Sequence, residues 1–160
     1  MTSELPAASL IRRLAALGYD ALLLIALIFI TTGIIVPLYT HSGLPVTDIN
    51  GVVKPPVWFA QGVLLPLLLL EIWGFYAWFW LHGGQTLGMN TWRIQVRRAD
   101  GAPLTLKDTV KRFAAGLLSW LLLGAGYLLA LVPPQRQTLH DRLSRTVVVT
   151  LPKKEKKKKG

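Results

Sequence analysis

The chain contains no cysteine. Disulfides, thiolate catalysis and cysteine-ligated metals are therefore excluded, while the compartment is left open. Acid is scarce as well, with eight Asp and Glu against 18 Lys and Arg. Charge of either sign nearly vanishes from three stretches: residues 14–38 keep only Asp20, residues 57–81 keep only Glu71, and residues 113–132 keep none. Other signals are missing too. Gly83-Gly84-Gln85-Thr86-Leu87-Gly88 lacks the Gly-Lys-Ser/Thr ending of a phosphate loop and is expected to be a tight turn where a helix leaves the membrane. His140-Asp141 has no second histidine–acid cluster beside it, and His41 and His82 lie in other segments, so no metal site is expected. No nucleophile–base set appears. The chain is expected to be no enzyme and to need no cofactor.

What remains is hydrophobic length. About 20 apolar residues rising ~1.5 Å each cross a hydrocarbon core of ~30 Å. The three stretches thus predict a mainly α, polytopic membrane protein. The first and second are transmembrane helices, and the third either spans or re-enters. The first run is too long for the apolar part of a signal peptide (~7–15 residues) and no small-x-small cleavage pattern follows it, so it is expected to stay as a helix.

Basic residues set the orientation. Only Lys54 lies between the first two stretches. Arg12 and Arg13 precede the first, and Arg93, Arg97, Arg98, Lys107, Lys111 and Arg112 separate the second from the third. The positive-inside rule puts the N-terminus and residues 83–112 in the cytoplasm of a bacterial inner-membrane protein, with residues 39–56 outside as a turn-rich connection of little chemistry.

The third stretch meets conflicting demands. Its length is enough to span, yet the residues after it are again basic, and Gly124-Ala125-Gly126 sits mid-stretch as a break. Thr105 with Asp108 predicts a capping box that opens a helix running into this stretch. Trp92 to Arg97 alternates apolar and polar, Asp100-Gly101 signals a turn, and Thr146–Thr150 is β-branched. If the two strands share one small cytoplasmic sheet, both ends of the third stretch lie on one side. The re-entrant reading is favoured on that ground.

A carboxylate inside a membrane helix costs at least ~2.5–3.5 kcal/mol on insertion scales, so Asp20 needs a partner. Arg13 lies two turns away less about 20°, on the same face, but ~10.5 Å along the axis is too far for a direct pair. Glu71 lies mid-membrane, with Pro66 five residues earlier loosening its helix. If Asp20 and Glu71 face each other, one keeps a proton or a cation lies between them. Both are candidate ion- or proton-responsive groups, with structural pairing as the alternative. Trp73, Phe75, Tyr76, Trp78, Phe79 and Trp80 are expected to form an interfacial aromatic belt.

Half of the net charge of +10 belongs to the tail, where residues 153–159 hold six lysines and Glu155. A disordered basic tail over residues 151–160 is expected to attract anionic headgroups at ~1 kcal/mol per lysine, in preference to nucleic acid.

Three motifs in order carry a resemblance. Arg13-Leu-Ala-Ala-Leu-Gly-Tyr-Asp20, Gly84-Gln-Thr-Leu-Gly88 followed by Trp92-Arg-Ile-Gln-Val96, and Arg136-Gln-Thr-Leu-His-Asp141-Arg-Leu-Ser-Arg-Thr-Val-Val148 resemble the RDD family of small bacterial membrane proteins over residues 10–150. The resemblance implies that Arg13, Asp20 and Asp141 are the name-giving residues, with Arg112, His140 and Arg142 in support. Met89 departs from the pattern, since many members carry lysine there. The resemblance also implies a transport-related role, with sodium/proton exchange proposed for some members. One chain has too few helices to enclose a path, so a homo-oligomer or a larger membrane partner is expected. The rival expectation is a non-catalytic accessory or assembly protein whose polar residues hold helices together.

Overall fold

Thirty-one residues, Leu10–Thr40, form the continuous helix α1, long and apolar enough to cross a bilayer. The computed structural model describes residues 5–132 and 137–153. The chain groups into two compact units, one holding the residues up to Asp20 and from Tyr76 onward, the other Ala21–Phe75.

The Ala21–Phe75 unit is made of apolar helix and one hairpin. After α1, strands β1 (Thr47–Ile49) and β2 (Val52–Lys54) pair antiparallel. Their turn is Asn50-Gly51, both at positive φ, with the Gly51 amide donating to Asp48 Oδ1 at 2.9 Å. Asn-Gly is the preferred pair for such a two-residue hairpin turn. The stretch expected to be a turn-rich connection therefore contains paired strands. The second apolar rod, Val57–Leu81, opens with α2 (Val57–Phe59) and a π-helical stretch, Ala60–Leu64, before α3 (Leu65–Leu81). Pro66, in the first turn of α3, supplies no amide for an i→i−4 bond, consistent with the wider turn just before it. Leu22, Phe29, Ile30, Ile34, Leu38 and Leu70 are exposed, as helices meant for lipid require.

The other unit carries the polar architecture. Helix α4 (Leu87–Thr91), strand β3 (Ile94–Arg98), helix α5 (Leu106–Leu121), helix α6 (Ala125–Leu128) with a 3-10 turn (Leu129–Leu131), helix α7 (Leu139–Leu143) and strand β4 (Thr146–Thr150) follow in order. The Thr105–Asp108 capping box opens α5 as the sequence predicts. At the break, Leu123 and Gly124 take positive φ, and the chain bends by 110° between α5 and the following apolar helix. Gly126 packs onto Ser119 so closely that a Cβ there would overlap the serine side chain.

Strands β3 and β4 pair antiparallel, with Arg98 opposite Thr146 and Val96 opposite Val148. Pro6–Ala8 adds to the free side of β4, with the Thr150 amide donating to Pro6 O and the Ala8 amide to Val148 O, each at 2.8 Å. Ala8, Ala16, Met89, Ile94, Val96 and Val148 form the buried core, with Trp80, Trp92 and Leu104 against it. Leu151 still bonds to Arg93 O at 2.7 Å, whereas the lysine tail beyond Lys153 lies outside the described residues.

A repeat underlies this sheet. Gln85-Thr86-Leu87 and Gln137-Thr138-Leu139 open α4 and α7, each with its threonine as the N-cap. Each short helix is followed by an arginine in the left-handed region, Arg93 at φ 52° and Arg145 at φ 53°, and then by a five-residue strand. Because Val96 faces Val148, the pairing is symmetric about that residue pair, and a local two-fold axis relates the halves.

Candidate functional site

Helix α1 carries Arg13 and Asp20 in its first turns, and they go to different places. Arg13 Nη1 donates to Asp141 Oδ2 at 2.5 Å, while its Nε donates to Ala8 O at 3.1 Å. Arg112, from α5, donates from Nη1 to Asp141 Oδ1 at 2.5 Å and to Thr146 Oγ1 at 2.6 Å. The Arg112 guanidinium also lies 5.1 Å from the centre of the Trp80 ring. One fully buried aspartate thus serves two buried arginines.

Asp141 sits where it does because it is the third residue of α7. It closes a capping box with Thr138, accepting from the Thr138 amide at 3.2 Å while its own amide donates to Thr138 Oγ1 at 3.3 Å. Burial alone would raise its carboxyl, but the Arg112 and Arg13 guanidiniums more than offset that and hold it below the ordinary range. His140 is buried beside it, with the Tyr127 ring edge-on at 4.9 Å. Burial, reinforced by Arg112, lowers the imidazole to about 3, so it is neutral at physiological pH. Among the described residues its Nδ1 has no hydrogen-bond partner, and neither has Arg112 Nε.

Asp20 meets its need elsewhere. Thr86 Oγ1 donates to Asp20 Oδ2 at 2.5 Å and the Gly88 amide donates to Asp20 Oδ1 at 2.9 Å. The carboxylate therefore reaches an amide at the start of α4 that has no partner within the helix, and Thr86 is itself the N-cap, accepting from the Met89 amide at 3.2 Å. Gly88 is required here: a Cβ would overlap Ala16 O and stand 2.9 Å from Asp20 Oδ1. The supposed turn at Gly83–Gly88 holds the receiving end of a helix.

Within the other unit, Thr31 Oγ1 donates to Glu71 Oε1 at 2.5 Å. The second oxygen, Glu71 Oε2, is buried and makes no hydrogen bond among the described residues. Arg142 is exposed and takes no part in the pairing around Asp141. Of the aromatic run, Tyr76 meets Trp80 with its ring tilted, centroids 5.1 Å apart, and Trp78 stacks at 4.0 Å on His82.

A sequence model of the RDD family matches residues 7–145. The chain belongs to the RDD family. Uncharacterized protein RP437 of Rickettsia prowazekii (strain Madrid E) is 32% identical over 84 residues, covering 51% of this chain and 45% of that protein, so the match spans under half the length of this relative. No solved structure matches. In this RDD membrane protein Arg13 and Asp141 form one ion pair, and Asp20 braces a separate helix end. Thr86, Gly88 and Thr31 were not named as partners from the sequence. The recurrence of Gln-Thr-Leu at 85 and 137 was the available signal for the first two, since it marks equivalent helix starts.

Proposed function

We propose that this RDD protein is a transport-related subunit of the bacterial inner membrane, working as a homo-oligomer or with a membrane partner, and that Glu71 is its proton- or cation-responsive group. The observation that carries the reading is the buried Oε2 of Glu71, within an apolar helix and without a hydrogen-bond partner among the described residues. An ionisable residue at membrane depth marks a functional site by default, because burying it without a role is costly. Asp20, with two good donors, serves as a positioning residue. The pairing of β3 with β4 supports a re-entrant third segment, since its two ends lead into one sheet on the side the basic loops mark as cytoplasmic.

The test is proton flux driven by a sodium or potassium gradient in proteoliposomes of wild type, Glu71→Gln and Asp20→Asn. Wild type is expected to conduct and Glu71→Gln to lose ~100-fold or more, the size of effect typical of removing an acid–base group. A folded wild-type oligomer without flux overturns transport. Flux that survives Glu71→Gln removes that residue from the mechanism.

A second reading, the non-catalytic accessory protein, is favoured by the complete internal pairing of Arg13, Asp20 and Asp141. On that reading Glu71 is interhelical glue worth ~0.6–2 kcal/mol. Glu71→Gln would then lower the melting temperature in detergent, and wild type would show no flux.

A further inference from the structure

Beside the buried Asp141 lies a cavity of about 340 Å³, lined by Arg98, Asp100, Gln137, Asp141, Arg142 and Arg145 with Ala99. That is roughly ten times the ~30 Å³ a water takes in the liquid, ample for a hydrated tetrahedral anion. Asp141 belongs to its lining, yet that buried carboxylate already receives both Arg13 and Arg112, so the cluster beside the cavity is cationic in sum. On the wall, Arg98 is held by Asp100 at 2.6 Å and Asp108 at 3.3 Å. Arg142 and Arg145 are exposed and make no ion pair among the described residues. Five arginines thus gather around three aspartates, and the two left over among the described residues, Arg142 and Arg145, are exposed residues of the cavity lining.

Guanidinium forks match phosphate oxygens bidentately, and a second anion would balance the excess charge carried by the buried pair of arginines. We propose that this cavity binds a phosphate-bearing anion, either the headgroup of an anionic lipid or a soluble phosphate, with Arg142 and Arg145 as the contacting forks and the Gln137 amide as a neutral donor. The site does not depend on whether the protein moves ions.

The experiment uses full-length protein in dodecyl maltoside, a phosphate-free detergent, with the six lysines of residues 153–159 changed to glutamine so that the tail adds nothing. Calorimetric titrations use dihexanoyl phosphatidic acid, inorganic phosphate and dihexanoyl phosphatidylcholine. Saturable binding of phosphatidic acid well above inorganic phosphate is expected if the source is lipid, and equal binding of the two if it is soluble; either supports the site. In Arg142→Gln/Arg145→Asn, where asparagine tolerates the left-handed backbone at 145, affinity is expected to fall about tenfold for each guanidinium lost. If that variant does not fold, Arg142→Glu, at an exposed helical position, takes its place with the same expectation. No saturable binding of either phosphate probe overturns the proposal. So does equal binding of the zwitterionic lipid, or affinity unchanged in a variant that melts like its parent.

Discussion

Removing the charge of Asp141 should be far more damaging than removing either of its partners. Among the described residues Asp141 is the anion against which Arg13 and Arg112 are both buried, each at 2.5 Å. Asp141→Asn leaves two buried guanidiniums facing each other across a neutral amide. Breaking one buried pair in this way typically costs ~3–5 kcal/mol, because the surviving charge is left uncompensated. Here two are left, so the loss reaches at least that range, a large share of a typical 5–15 kcal/mol total stability. Arg112→Gln works in the opposite electrostatic sense. It gives up the bonds to Asp141 and Thr146, but it leaves Asp141 and Arg13 as a balanced pair. Both bonds leave from one nitrogen and the excess positive charge is relieved, so its cost should be nearer ~1.5–3 kcal/mol in all. The double variant Asp141→Asn/Arg112→Gln should therefore recover stability relative to Asp141→Asn alone. Thermal unfolding in detergent, followed by tryptophan fluorescence, reads all four proteins. An Asp141→Asn protein that melts at or above Arg112→Gln, or a double variant no better than Asp141→Asn, refutes the shared-anion account.

Two further outcomes follow from the same unit and its neighbour. Gly88→Ala should cost ~1–3 kcal/mol or more, because the new methyl meets the fixed backbone oxygen of Ala16; Gly74→Ala, with open space around it in α3, should instead gain up to ~1 kcal/mol of helix propensity, and melting temperatures of the two decide it. Stability should fall on acidification from pH 6.5. The imidazole of His140, lowered to about 3, stays neutral in the fold while the unfolded chain takes up a proton. The loss is about 2 kcal/mol between pH 6.5 and 5, the depressed Asp141 adds to it below its unfolded value near 3.8, and His140→Phe should flatten the upper part of the curve.

Hydrophobic length made α1 and the Val57–Leu81 rod legible, because spanning a bilayer demands a signal that nothing else imitates. The Thr105–Asp108 cap and the strand at Thr146–Thr150 were legible for the same kind of reason: each is decided by a few adjacent residues. The hairpin at Asn50-Gly51 was equally local and was overlooked among the surrounding prolines and glycines. The partners of Asp20 were of another kind. A search for an opposite charge could not find them, since the carboxylate is met by a hydroxyl and a backbone amide 66 and 68 residues away. Arg13 likewise spans 128 residues to reach Asp141. Such pairings depend on which segments the sheet brings together, and only the repeated Gln-Thr-Leu gave a hint of that arrangement.

The two-fold repeat also poses a problem of choice for the start of α1. Helices α4 and α7 offer nearly the same threonine-capped opening, and α1 must dock one polar residue at each. Two equivalent receivers would let the helix settle in either of two orientations, a common hazard of symmetric scaffolds. The halves differ where it counts. Asp141 occupies the position that Met89 holds in the first half, and Gly88 stands where the second half has His140. An acid without room at one opening, and room with a bare amide at the other, send the arginine and the aspartate of α1 to opposite addresses. Asymmetry at two positions turns a duplicated frame into one with a single correct way to close.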